Sequence, residues 1–284
     1  MAEPQAGRVT VEEGVVFGTG GGRDLKCDVY TPPQPGPRRP GVLLVHGGGW
    51  VRGDRTQLRG YGILLGRLGY VCVATEYRLT GEAKWPAQLH DVKAALRWMR
   101  ANAERLGVDP EKIAVSGNSA GAHLSLMIAG TQNMPAFEGD GGNAGVSTSV
   151  AACIAFYAPV RLAELYERRA DAFLPALFAP DATPQTMAGA SPDRHVANNF
   201  PPTLLISGNK DQTVNYRESV HMYHALIDAG ARAELHLYEG APHAFDALPD
   251  FGRQCASIMA LFLDRVMTNP RPVAAPQTTM AGRT

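Results

Sequence analysis

The sequence is short of cysteine and has no bulk charge. Its four cysteines, Cys27, Cys72, Cys153 and Cys255, stand far apart with no Cys-x-x-Cys pair. That excludes a zinc ribbon or a dense disulfide framework and leaves buried, inert thiols as the expectation. Lys plus Arg and Asp plus Glu each total 27, so there is no electrostatic footprint for nucleic acid or an anionic membrane. A neutral small molecule is the expected partner. No apolar run is long enough to span a bilayer, and Met1 to Val16 lacks the basic stretch and apolar core of a secretion signal. These absences lead us to expect a soluble, cytoplasmic protein. Internal repeats and low-complexity tracts are also missing.

What is present reads as one loop-rich α/β domain. The chain has 284 residues, a hydrophobic fraction of 45%, 31 Gly and 21 Pro, ample for a large core without metals or disulfides. Arg8 to Phe17 and Leu25 to Thr31, separated by the Gly-rich segment Gly18 to Gly22, predict an opening antiparallel hairpin. The uninterrupted apolar run Val42-Leu43-Leu44-Val45 predicts a strand buried on both faces. Strand-like and helix-like segments then alternate: Tyr70 to Thr75, Ala87 to Leu106, Lys112 to Ser116, Ala120 to Ala129, Ala151 to Tyr157, Thr203 to Ser207, Tyr216 to Ala229, Ala233 to Tyr238 and Phe251 to Met267. Such alternation predicts a mostly parallel central sheet flanked by helices. In the helix from Ala87, Leu89, Val92, Leu96 and Met99 form an apolar face, with Asp91, Lys93, Arg97 and Arg100 on the remainder. Asp109-Pro110 reads as a turn before the next strand. The domain is expected over residues 8–267, with 132–149 and 161–199 as inserts forming a partial lid and 268–284 as a disordered tail.

The chemistry centres on Gly117-Asn118-Ser119-Ala120-Gly121, which follows the strand Ile113-Ala114-Val115 and opens a helix. A sharp strand-to-helix turn there would lift the Ser119 hydroxyl above the sheet. A serine hydroxyl is a weak nucleophile at neutral pH and needs a base, which in turn needs an orienting acid. Asp211 stands just after the strand Leu204-Leu205-Ile206-Ser207, and His243 lies in Gly240-Ala241-Pro242-His243-Ala244-Phe245 after the next strand. Adjacent strand ends would bring the two side by side. His221, His224 and His236 fall on a helix or a strand and lack that loop position.

His46-Gly47-Gly48-Gly49-Trp50 follows the first buried strand, where glycines can turn backbone N–H groups toward a developing oxyanion. A phosphate cradle is the competing reading. It fails because no Lys-Ser or Lys-Thr follows at P-loop spacing and no Gly-x-Gly-x-x-Gly with a downstream acid occurs. The amides of Gly48, Gly49 and Ala120 are the expected oxyanion donors, His46 a loop organiser, and Trp50, Tyr77 and Phe245 candidate pocket walls. The expected reaction is acyl transfer through an acyl-enzyme, which requires no cofactor or metal.

Together with Glu76-Tyr77-Arg78-Leu79, these motifs resemble the esterase and lipase group of α/β-hydrolases that includes hormone-sensitive-lipase-like enzymes, over roughly Val42 to Phe262. Glu82-Ala83-Lys84-Trp85-Pro86-Ala87-Gln88 and Ser119-Ala120-Gly121-Ala122-His123-Leu124 are more similar to the bacterial acetylxylan and feruloyl esterase-like branch, which shares features with kynurenine formamidases. The resemblance implies a serine carboxylesterase for short-chain or small aromatic esters, with an arylformamidase as the rival. A non-catalytic ligand receptor on the same fold is the reading from another class. The chain departs from the group in reaching its first strands by about Arg8, where those enzymes usually carry a helical N-terminal cap, so the inserts 132–149 and 161–199 are expected to cover the pocket. The signal peptide that secreted polysaccharide esterases carry is not visible in it.

Overall fold

In the computed structural model, residues 4–34, 36, 38–167 and 174–271 are described. The successive apolar side chains Val42 to Val45 of β3 (Arg39–Val45) are buried on both faces of the sheet. Val42 and Leu44 enter one core, Leu43 and Val45 the other, as expected of a strand covered by helices on both sides. β3 lies between the parallel strands β4 (Val71–Thr75) and β5 (Val108–Asn118). Beyond β5 follow β6 (Ala152–Phe156), β7 (Thr203–Gly208) and β8 (Ala233–Tyr238), all parallel. The predicted hairpin is β1 (Thr10–Gly20) and β2 (Arg23–Thr31), which adds antiparallel to β4. Its turn is tighter than expected, since Gly18 to Gly20 continue the strand and only Gly21-Gly22 turn. The strand order is β1-β2-β4-β3-β5-β6-β7-β8.

Helices α1 (Arg59–Arg67) and α9 (Pro249–Leu263) cover one face. The other is covered by α2 (Ala87–Ala101), α3 (Ala103–Leu106), α4 (Ala120–Gly130) and α8 (Arg217–Asp228). α1 was not foreseen, because Gly60, Gly62 and Gly66 dilute its helical signal. The single predicted helix Ala87 to Leu106 is divided at Asn102, whose side chain caps the Trp98 carbonyl at 2.9 Å. Asp109-Pro110 falls inside β5 rather than before it. Arg39 pairs with Val108 and Gly41 with Ile113, so the intervening residues bulge out. The closing helix starts earlier than expected, at Pro249, and widens into a π turn over Asp264–Thr268. The chain stays anchored past Thr268: Asp264 accepts from Asn269 at 2.6 Å and Arg271 at 2.7 Å. The remainder of the expected disordered tail, 272–284, lies outside the described residues.

The polar side of α2 is not a solvated face. Asp91, Lys93 and Arg97 are buried, and they bind neighbouring segments. Lys93 Nζ donates to the Thr131 carbonyl at 2.5 Å and to Glu138 at 2.8 Å. Arg97 donates to the carbonyls of Gly142 and Glu138, and Arg100 to those of Ser147 and Ser149. The insert 132–149 is thereby fastened to α2. The second insert carries α5 (Leu162–Glu167), α6 (Leu174–Leu177) and α7 (Pro184–Gly189), with 168–173 outside the described residues. It docks on the loop before α2, where Lys84 and Trp85 donate to the carbonyls of Ala176 and Leu177. All four cysteines are free and buried, and burial pushes the thiols of Cys27 and Cys255 up to about 12 and about 11. Among the described residues no helix is long and apolar enough to cross a membrane.

Because Lys93 is fully buried and leaves Glu138 with one cation fewer when truncated, Lys93→Ala should lower unfolding free energy by about 3 kcal/mol in a urea melt. A loss below about 0.5 kcal/mol would show that this cation behaves as a surface group.

Candidate active site

The turn between β5 and α4 depends on one close approach. A Cβ on Gly121 would stand 2.1 Å from the Val45 carbonyl oxygen and 2.4 Å from that of His46, so only glycine lets α4 start against the end of β3. Ser119 occupies the corner at φ 54° and ψ −118°, a conformation costing a non-glycine residue about 1–3 kcal/mol. Backbone hydrogen bonds hold it there: Ser119 N donates to the Phe156 carbonyl at 2.9 Å, and His123 N donates to the Ser119 carbonyl at 3.0 Å. The hydroxyl emerges at the carboxyl edge of the sheet, as expected for an elbow.

Asp211 and His243 meet it there. The loops after β7 and β8 are joined by Asn209 N to the Tyr238 carbonyl at 3.0 Å, Lys210 N to the Ala241 carbonyl at 3.0 Å, and Gly240 N to Asn209 Oδ1 at 2.8 Å. Asp211 Oδ1 accepts the amides of Thr213 and Val214, each at 2.8 Å, which leaves Oδ2 for His243 Nδ1 at 2.6 Å. Nε2 of the same ring lies 3.1 Å from Ser119 Oγ. These contacts assign the tautomer: Nδ1–H donates to the carboxylate and Nε2 accepts from the hydroxyl. The Asp211 side chain is inaccessible to solvent, whereas that of His243 is 21% exposed, so the carboxylate is sealed in and the imidazole faces the site.

The glycine loop passes beside the elbow. Gly48 and Gly49 have φ of 114° and 61°, and the Gly48 carbonyl accepts from Val51 and Arg52 at 3.2 Å. A Cβ on Gly48 would stand 2.1 Å from the Arg52 carbonyl oxygen, so this tight turn requires glycine. The hydrogen bonds among the described residues use neither the Gly48 nor the Gly49 amide as donor. Ala120 begins α4, where first-turn amides lack intrahelical acceptors. His46 is buried and stacks on Tyr77 with ring centroids 4.2 Å apart, and the Tyr77 hydroxyl donates to the His46 carbonyl at 3.1 Å. Burial lowers the basicity of His46, in keeping with the expected organising role. Arg78 in turn grips Asp91 of α2, with Nη2 to Oδ1 at 2.7 Å.

The expected pocket walls require correction. Trp50, Tyr77 and Phe245 are each 1% exposed. Trp50 and Tyr77 pack in the core beneath α2 and α4, and Phe245 in the core beneath α1 and α9. They support the site loops from behind and present almost no surface to a ligand. Trp50 instead meets His123 edge-on at 5.2 Å, with Trp85 on the same imidazole at 5.5 Å. His123 is fully buried and bonded through Nε2 to the Ala190 carbonyl at 2.8 Å.

A second carboxylate, not singled out from the sequence, lies next to the first array. Asp246 is buried and accepts from Tyr61 at 3.0 Å, from Asn118 at 2.6 Å and from Tyr157. Its sequence signal was an acidic residue inside the apolar stretch Ala244-Phe245-Asp246-Ala247, where an unpaired charge is costly.

A mostly parallel eight-stranded sheet in this order, with a strained serine elbow and a histidine and acid on the following strand ends, defines an α/β-hydrolase. The chain matches the BD-FAE family over residues 27–226 and belongs to it. It is 34% identical to esterase LipC of Mycobacterium tuberculosis over 83% of this chain and 60% of that protein, and 30% identical to versiconal hemiacetal acetate esterase of Dothistroma septosporum over 88% and 77%. It spans 55% of LipQ, another mycobacterial esterase, so it represents little more than half the length of such relatives. Among solved structures, a propionate-bound thermophilic esterase from Thermogutta terrifontis superposes with a TM-score of 0.78 at 29% identity, covering 95% of this chain and 98% of that one.

Burial lowers the pKa of His123 to about 4, from an ordinary value near 6.5. The unfolded chain therefore takes up this proton near pH 6.5, whereas the folded protein resists it until about 4. Stability contributed by neutral His123 is present above 6.5 and lost as pH falls through that window. His46 acts in the same direction. His123→Gln should flatten the acid side of the stability profile by up to about 3 kcal/mol between those limits, and an unchanged slope in denaturant melts would contradict the assignment.

Proposed function

We propose that the protein is a serine carboxylesterase in which Ser119 is the nucleophile, His243 the general base and then acid, and Asp211 the group that orients the imidazole. The observation that carries this reading is the unbroken series of hydrogen bonds from Ser119 Oγ to His243 Nε2 at 3.1 Å and from His243 Nδ1 to Asp211 Oδ2 at 2.6 Å. His243 takes the Ser119 proton as Oγ attacks the ester carbonyl, and the negative charge moves to the carbonyl oxygen. The amides of Gly48, Gly49 and Ala120 are assigned to that oxyanion. Collapse of the tetrahedral intermediate breaks the bond to the alcohol oxygen, which leaves with the proton held by His243, and an acyl-enzyme remains. Water then attacks with His243 again as base, and expulsion of Ser119 Oγ, reprotonated by His243, releases the carboxylic acid.

Short acyl chains are the proposed substrates. The Thermogutta terrifontis esterase, 29% identical to this chain, has been solved with propionate and with butyrate bound, and small acids of that kind are the products such a reaction would release. The relatives compared above carry esterase names, and none of them favours the arylformamidase or the receptor reading.

On p-nitrophenyl esters, turnover should be highest from acetyl to butyryl and fall steeply toward palmitoyl. Ser119→Ala should abolish it. Asp211→Asn should lower kcat by about 10⁴-fold while circular dichroism and melting temperature stay near those of the parent. Activity of Asp211→Asn within about tenfold of the parent would move the orienting role to another carboxylate.

A further inference from the structure

A carboxylate near the proposed nucleophile that the mechanism does not use accepts as many hydrogen bonds as Asp211, three each. Asp246 lies three residues beyond His243, past Ala244, whose φ is 57°. Its Oδ2 accepts from Asn118 Nδ2 at 2.6 Å and from the Tyr61 hydroxyl at 3.0 Å, while Oδ1 accepts from the Tyr157 hydroxyl. Asn118 Nδ2 also donates to the Tyr157 hydroxyl at 3.0 Å, closing a ring of Asn118, Tyr157 and Asp246. Each partner comes from a different element of the site. Asn118 is the last residue of β5, joined by one peptide bond to Ser119. Tyr157 follows β6 with φ 39°, and its ring centroid lies 4.5 Å from that of His243. Tyr61 stands on α1.

We infer that Asp246 is a positioning residue for the Ser119–His243 pair: its buried carboxylate fixes Asn118 against the elbow and holds the Tyr157 ring as a stop beside the imidazole. Asp211 anchors His243 through one ring nitrogen only, which sets a pivot and leaves rotation of the ring about that bond to be limited by what lies alongside. Tyr157 lies alongside, and the orientation of Tyr157 is set by its bond to Asp246. The anion is suited to this task because it accepts from three donors at once without offering a competing proton. Phe245 secures the loop further by packing on Tyr238 at 4.8 Å and Phe251 at 5.4 Å. This arrangement distinguishes two nearby carboxylates by role: Asp211 touches the base, and Asp246 acts on it through Tyr157 and on Ser119 through Asn118.

The inference rests on the proposed esterase reading, and the test separates the two. Steady-state kinetics on p-nitrophenyl butyrate, normalised to active sites titrated with a fluorophosphonate, are measured for the parent, Asp246→Asn, Tyr157→Phe and the double variant, together with melting temperature. Misplacement of a reacting pair by about 1 Å costs about 100-fold, so Asp246→Asn should lower kcat by about that factor with KM within about threefold. Tyr157→Phe should lower kcat by about tenfold, and the double variant should lose no more than Asp246→Asn alone, because Tyr157→Phe removes a contact that Asp246→Asn has already broken. A purely structural carboxylate would lower melting temperature and leave kcat per titrated site unchanged. That result, or losses that multiply in the double variant, would overturn the inference. If Asp246→Asn does not fold, Tyr157→Phe decides alone: a loss in kcat at constant KM supports the inference, and parental kcat contradicts it. A parent that hydrolyses no ester would overturn the esterase reading and this one with it.

Discussion

Where α4 begins, its backbone runs against the end of β3 at a distance that leaves no room for a side chain on Gly121. The rest of the site depends on this contact. It forces Ser119 into a strained corner, and the corner turns the hydroxyl out of the sheet toward the loops after β7 and β8. Because the same contact uses the carbonyls of Val45 and His46 as its wall, it also fixes where the glycine loop starts. The elbow and the proposed oxyanion donors are therefore two sides of one backbone approach, and a shift in either displaces the other. Strain of this kind persists only where the surroundings over-determine it, and here both neighbouring strands and the first turn of α4 do so.

Around that contact, buried polar groups tie the loops together beside the apolar packing of Trp50, Tyr77 and Phe245. Arg78 and Asp91 tie the loop after β4 to α2, Lys93 and Arg97 tie α2 to the insert 132–149, and Asp246 ties α1, β5 and β6 to the loop carrying His243. Buried charges of this kind add little net stability compared with well-packed apolar groups, yet their directionality admits few alternative arrangements. A site built from loops on separate strands needs that directionality, since apolar contacts alone tolerate sliding.

The sequence made the parallel sheet legible because most of its strands are short apolar runs. It made the placement of Ser119, Asp211 and His243 legible because each follows a strand at the same edge, Ser119 and Asp211 after apolar runs and His243 after the alternating strand Ala233–Tyr238. What it concealed has physical causes. α1 is diluted by glycine, so propensity argues against a helix that tertiary packing nonetheless supplies. Lys93 and Arg97 read only as residues outside the apolar face of α2, because periodicity cannot show that an insert about 40 residues later covers them. Trp50, Tyr77 and Phe245 read as pocket walls from their nearness in sequence to the site loops but face the core, since a loop residue's direction depends on backbone turns that composition does not reveal. Asp246 went unnoticed because its donors, Tyr61, Asn118 and Tyr157, come from separate parts of the chain.

The central claim is that Ser119 alone bears the activated hydroxyl. The most direct measurement is reaction of the folded protein with a fluorophosphonate, followed by intact mass and peptide mapping. The account predicts a single adduct, on Ser119, and no adduct on Ser119→Ala. An adduct on any other residue, or none on a protein whose melting curve shows it folded, would contradict it.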